Sequence, residues 1–190
     1  IESCQAQLEA ASENGIPVVV FDSNVSEDEL VSAFRGTDNT YVGKLAAEKL
    51  ADAIGGSGKI AVFSAQEKTE SSQKRVEGFK EVLADYPDIT IVSELYTDKV
   101  KDMSDAMADV LKRYPDLNGV FCTNESVSDQ YLALEKGESS PVMVGVDATT
   151  VQQKAIADGQ ELGTVSQDPY DVGYQTIIAA AQAMSTDEAQ

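Results

Sequence analysis

The chain has 190 residues, 42% of them hydrophobic, which is enough to bury one sizeable core or two small ones and excludes a disordered polymer. Its 33 acidic residues outweigh 14 basic ones, and the formal charge of -19 repels nucleic-acid phosphate and anionic lipid, which weighs strongly against a nucleic-acid-binding face. It contains no histidine, which removes Ser-His-Asp and Cys-His catalysis.

Short apolar runs alternate with longer amphipathic stretches, the pattern of βαβ units and a parallel sheet. A helix is expected at Glu2–Glu13, stopped by Asn14-Gly15, and strands at Pro17–Asp22 and Ser32–Phe34. Asp38-Asn39 reads as a hinge and helix cap before a helix at Tyr41–Ile54. Gly55-Gly-Ser-Gly58 is a turn. It follows a helix and precedes a strand, the reverse of a phosphate cradle, so a nucleotide site is not read there. Strand Lys59–Ser64, helix Ser71–Tyr86, strand Ile89–Leu95, helix Asp102–Tyr114 and strand Gly119–Thr123 follow. Helix Ser126–Glu135, stopped at Lys136-Gly137, leads to strand Val142–Val146, helix Thr150–Ala157, strand Gly163–Ser166 and helix Tyr170–Met184. Tyr86-Pro-Asp88 and Tyr114-Pro-Asp116 each separate a helix from a strand, which implies a single doubly wound sheet. Tyr170, Tyr174, Ile177 and Ile178 are expected in the core, as are Cys4 and Cys122, whose separation is no metal-ligand spacing, a disulfide between the two being the alternative.

No calcium-loop or zinc-ligand motif is present, and neither a cofactor nor a metal is expected. No run of about 18 apolar residues would span a membrane. The chain opens in mid-helix without a capped start, which reads as a beginning inside a longer gene.

Polar residues recur at strand ends: Asp22, Asn39, Asn124, Asp147 and Gln167, with Arg75 opening a helix. In an open α/β sheet such positions converge on one crevice. Carboxylates accept from hydroxyls, a guanidinium donates in a fork, and carboxamides do both, which is the chemistry that a polyhydroxylated ligand requires. Taken residue by residue, Asp22 is also a strand-end turn former, Asp147 a cap for the helix at Thr150, and Asn124 a turn residue bonded to its own backbone. An arginine on an exposed first helical turn is ordinarily a solvated face.

Seven segments carry a resemblance in order: Gly15–Asp22, Thr37-Asp-Asn39 with Gly43, Arg75-Val-Glu-Gly-Phe79, Tyr114–Phe121, Thr123-Asn124, Val144-Gly-Val-Asp147, and Ser166–Pro169 with Gly173. Together they resemble the sugar-binding periplasmic receptors of the ribose-binding type and the sugar-binding domains of LacI-type regulators. The resemblance implies a type I periplasmic binding protein lobe, an α/β fold with a doubly wound, mainly parallel sheet. It implies sugar contacts at Asp22, Arg75, Asn124, Asp147 and Gln167, with Ser23 at another common contact position. Many relatives have an aromatic residue where this chain offers Tyr96-Thr-Asp-Lys99, and Asn124-Glu125 and Ser128-Asp-Gln130 also depart from the usual pattern.

On that resemblance, residues 1–38 are a remnant of an N-terminal lobe, 39–166 a complete C-terminal ligand-binding lobe, and 167–190 the return crossing with a helix of the first lobe. Most of the N-terminal lobe is then absent, and self-association, a swapped arrangement or disorder in residues 1–14 and 170–190 is expected. The implied function is non-catalytic capture of a monosaccharide or related polyol for an ABC importer by hinge closure, with the importer's permease as partner. The implied location is periplasmic or extracellular and membrane-associated. The alternatives are the effector domain of a LacI-type regulator, which is cytoplasmic, and a membrane sensor. A flavodoxin-like phosphotransfer domain is a third reading, because Asp22 ends a strand as a phosphoacceptor does.

Overall fold

The computed structural model describes residues 4–25, 28–135, 137 and 140–187. Each apolar run read above forms a strand: β1 (Val19–Phe21), β2 (Ala33–Arg35), β3 (Gly58–Ser64), β4 (Ile89–Tyr96), β5 (Leu117–Cys122), β6 (Val142–Val146) and β7 (Gly163–Val165). The helices are α1 (Gln5–Glu13), α2 (Asn39–Ala53), α3 (Glu70–Leu83), α4 (Met103–Arg113), α5 (Glu125–Leu132), α6 (Thr150–Ala157) and α7 (Pro169–Asp187). A 3-10 turn at Asp28–Leu30 was not legible in the pattern. Helix α5 stops at Leu132, short of the expected Lys136-Gly137, of which Lys136 lies outside the described residues.

The strands divide between two sheets, not one. The chain forms two compact units, Ile1–Thr37 with Asp168–Gln190, and Asp38–Gln167. The two Tyr-Pro-Asp segments both belong to the second unit, so their repetition said nothing about β1 and β2.

In the second unit five parallel strands run in the order β4-β3-β5-β6-β7. Side chains alternate across a strand, so consecutive apolar residues feed two cores. Ile60, Val62, Phe121, Val144 and Val146 pack with Val42, Ala46 and Leu50 of α2 and Val76 and Phe79 of α3. On the opposite face Ala61, Phe63, Val120, Cys122 and Met143 pack with Met103 and Met107 of α4 and Val127 and Tyr131 of α5. Helices therefore cover both faces, and the fold is α/β with a doubly wound parallel sheet. The strand order reverses between β3 and β5, and the crevice at such a switch point, at the carboxyl ends of the strands, is where open α/β sheets take ligands.

In the first unit β1 and β2 pair in parallel, Val19 opposite Ala33. Cys4 is half-buried, whereas Cys122 is fully buried in the second unit. Residues 5–13 and 169–187 are helical where disorder was an expected outcome. The expected core of α7 is corrected: Tyr170, Tyr174, Ile177 and Ile178 are 83%, 56%, 70% and 39% exposed. Their spacing does place them along one side of a helix, but periodicity alone cannot say whether anything packs on that side.

Candidate functional site at the carboxyl edge of the sheet

The site begins with a helix crossing. A Cβ on Gly43 of α2 would stand 2.0 Å from the Arg75 carbonyl oxygen, and one on Gly78 of α3 would stand 2.1 Å from that of Thr40. Two helices that touch backbone to backbone require glycine at both points. Phe79, next to Gly78, stacks on Phe121 of β5 with ring centroids 4.5 Å apart and fixes α3 to the sheet.

This packing carries Arg75 inside. It lies in the second turn of α3 and is only 6% exposed, so the expectations that it opens the helix and stands on a solvated first turn are both corrected. Its Nε donates to Asn39 Oδ1 at 2.8 Å and one Nη to the Thr123 carbonyl at 2.6 Å. Thr123 follows β5, so the guanidinium stands between α3, which leaves β3, and the end of β5. That is the switch point of the sheet.

Three more of the expected residues follow along the same edge. Asn124 caps α5, its Oδ1 accepting from Val127 N at 3.2 Å, so the local turn role read from sequence is real. Its Nδ2 donates to no acceptor among the described residues. The next amide, Glu125 N, donates to Asp147 Oδ2 at 3.0 Å, and Gln167 Nε2 donates to Asp147 Oδ1. Asp147 does not cap α6. Thr149 does, in a reciprocal box with Gln152. Asp147 instead sits at φ 76°, its amide donating to the Val165 carbonyl at 3.0 Å. Thr164 Oγ1 donates to the Asp147 carbonyl, and Gln152 Nε2, buried below, donates to Thr164 Oγ1 at 3.2 Å. The Thr123 carbonyl that holds Arg75, the α5 cap Asn124 and the Glu125 amide that donates to Asp147 are consecutive residues, and Asp147 in turn accepts from Gln167, so the four lie along one edge.

Asp22 and Ser23 lie in the first unit, both exposed at the end of β1. Asp22 has φ 61°, and its amide donates to the Arg35 carbonyl at 2.9 Å. Among the described residues Asp22 and Asp147 are the two non-glycine residues in the left-handed region. Each costs on the order of 1–3 kcal/mol of backbone strain, and such strain concentrates at ligand clamps.

Asp38, not Asn39, caps α2, accepting from Tyr41 N at 2.9 Å, while Asn39 is buried against Arg75. Tyr96 ends β4 half-buried with its hydroxyl bonded to Glu94, and burial followed by that bond pushes its pKa up. Among the described residues no group of three or more His, Cys, Asp or Glu is placed to hold a metal ion, and no helix is long and apolar enough to cross a membrane. Sequence reasoning missed the part of Thr123, which acts through a main-chain carbonyl that no side-chain pattern advertises. It also missed the link from Asn39 to Arg75, for which the paired glycines at 43 and 78 were the available signal.

The edge offers a guanidinium, a carboxamide donor and a carboxylate. A carboxylate has about four lone-pair sites, and two protein bonds leave Asp147 capacity for more. Fold and edge together define a class, a doubly wound α/β ligand-binding unit with polar groups gathered at its switch point. The family model described as periplasmic binding protein domain matches residues 2–188, and the chain belongs to that family. The ribose import binding protein of Escherichia coli (strain K12) is 27% identical over 186 residues, covering 96% of this chain and 62% of that protein. The D-allose-binding periplasmic protein of the same organism is 28% identical over 175 residues, covering 86% and 56%. A solute binding protein of Agrobacterium vitis bound with alpha-D-tagatopyranose superimposes with a TM-score of 0.84 at 25% identity, covering 95% of this chain and 65% of that one. One from Burkholderia graminis in complex with D-arabinose gives 0.86 at 24% identity, which speaks to fold alone. The chain spans 62% of the length of the ribose import binding protein, a little under two thirds.

Proposed function

We propose that this chain forms part of a solute-binding receptor that captures a monosaccharide or related polyol, with no chemical transformation, and delivers it to the permease of an ABC importer. The observation that carries the reading is the succession of Arg75 held by the Thr123 carbonyl, Asn124 next to it, and Asp147 held by the Glu125 amide and Gln167, along the carboxyl edge. Every sugar hydroxyl both donates and accepts, and this edge supplies both kinds of partner at fixed positions. Relatives named for ribose and allose support a monosaccharide over other solutes.

Asp22 and Ser23 are read as contacts supplied by the first unit. Residues 39–166 are read as a complete C-terminal lobe, and 1–38 with 167–190 as parts of an N-terminal one. A ligand that meets both lobes only when they close shifts the open–closed population by its differential affinity. Export to the periplasm or cell exterior, with membrane association through the importer, follows from the same reading. The exposed side of α7 supports self-association of this chain by itself, which light scattering tests.

The experiment is calorimetric titration of the full-length protein with D-ribose, D-allose, D-arabinose, D-tagatose and myo-inositol. Saturable binding of at least one, abolished by Asp147→Ala, is expected. No binding across the panel overturns the reading.

A further inference from the structure

We propose that Asn39 is a positioning residue that fixes the plane of the Arg75 guanidinium, and that it does so without neutralising the charge. The inference rests on the sugar-binding reading for its consequence, though not for its geometry.

A guanidinium on an arginine stem rotates freely unless two of its N–H groups are held, and its value to a ligand lies in presenting a planar fork in one orientation. Here the two holds come from different elements, Asn39 Oδ1 on α2 at 2.8 Å and the Thr123 carbonyl after β5 at 2.6 Å. Asn39 itself is 6% exposed, and the glycine crossing delivers it. Asn39 lies one turn before Gly43 on α2, and Arg75 lies three residues before Gly78 on α3, so the contacts at 2.0 and 2.1 Å that a Cβ would meet dictate how near the two side chains come. The Asn39 carboxamide and the Thr123 carbonyl are both neutral acceptors. An aspartate at 39 would form an ion pair and draw the positive charge toward itself, whereas a carboxamide orients the fork and leaves the charge to act on ligand oxygens.

Position 39 is also the second residue after the boundary between the two units, which falls between Thr37 and Asp38. Asp38 caps α2 and the next residue, Asn39, holds Arg75, so the proposed ligand fork is bonded to the second residue of that unit.

The test uses the full-length protein and two readouts. In the ligand-free protein the Arg75 Nε–H should appear as a slowly exchanging resonance in proton–nitrogen spectra. Asn39→Leu should collapse that protection with backbone amides otherwise unmoved, and Asn39→Asp, which keeps an acceptor at a helix N-terminal position that favours carboxylates, should retain it. With D-ribose, D-allose and D-arabinose as probes, Asn39→Leu should weaken the sugar that binds by about tenfold, the scale of one hydrogen bond to a charged group. Asn39→Asp should keep the hold yet weaken that sugar by more than about threefold, because the ion pair draws the charge away from the ligand, and unchanged affinity there would overturn the charge argument. Asn39→Leu should cost nothing further in an Arg75→Ala background. Unchanged Nε–H protection in Asn39→Leu, or loss of it in a folded Asn39→Asp, overturns the positioning role. An additive loss in the double variant overturns it as well. If the wild-type protein binds none of the sugars, the binding reading fails by itself and the exchange readout still decides the role of Asn39.

Discussion

Gly43→Ala separates two forces of opposite sign. Helix propensity alone favours alanine over glycine in a helix interior by about 1 kcal/mol. The crossing says the reverse, because the new Cβ would stand 2.0 Å from the Arg75 carbonyl oxygen and 2.8 Å from Phe79 N, both main-chain atoms that no rotamer change can move. An ordinary carbon–oxygen approach is about 3.4 Å, so α2 and α3 must separate locally by roughly 1.4 Å, the difference between about 3.4 and 2.0 Å. Overpacking of that kind costs about 1–3 kcal/mol. The same movement stretches the 2.8 Å bond from Arg75 to Asn39 beyond hydrogen-bonding range, for about 1.5–3 kcal/mol more. After the propensity gain the net loss is about 1.5–5 kcal/mol, measured as the shift in urea midpoint at constant slope. Gly173 of α7 is the control, since it also lies five residues beyond a helix-capping aspartate, here Asp168, and a Cβ there meets nothing within 4 Å. Gly173→Ala should be neutral or up to about 1 kcal/mol stabilising. A Gly43→Ala protein as stable as its parent would refute the backbone contact and, with it, the account of how Arg75 is placed.

Arg75→Ala should weaken sugar binding in the full-length protein by about 1.5–3 kcal/mol, roughly ten- to a hundredfold, and Arg75→Lys should not restore it fully because a point charge does not replace a planar fork; unchanged calorimetric affinity would remove Arg75 from the site. At Asp147, alanine keeps the left-handed backbone of φ 76° while glycine relieves it, so Asp147→Gly should be about 1–2 kcal/mol more stable than Asp147→Ala in urea, with sugar binding lost in both; equal stability would deny the strain. Burial raises the pKa of Tyr131 above its ordinary 10.0, so the unfolded chain ionises first. The stabilisation from keeping this hydroxyl neutral is complete below about pH 10 and is lost as pH rises toward the folded value. Urea midpoints should therefore fall between pH 9 and pH 11, about the ordinary tyrosine range, and fall less in Tyr131→Phe; identical slopes in both proteins would contradict the burial.

Local pattern was enough for much of the architecture. Four-residue apolar runs such as Ile60–Phe63, bounded by glycine or a polar turn, have few conformational choices, and each became a strand within a residue or two of its expected limits. Asn124 and Asp147 were legible because strand-end position is a local property. The capping of α5 by Asn124 was legible for the same reason. The count of sheets was not, since hydrogen-bond ladders join strands across the chain and a repeated Tyr-Pro-Asp marks only where each helix ends. The burial of Arg75 was not legible for the same reason: on a helix an arginine is ordinarily solvated, and only acceptors 36 and 48 positions away, brought to it by a glycine crossing and a stacked pair of phenylalanines, make burial affordable. The exposed side of α7 is the converse case, an apolar periodicity that states what a helix is able to bury and leaves to the tertiary structure whether anything lies against it.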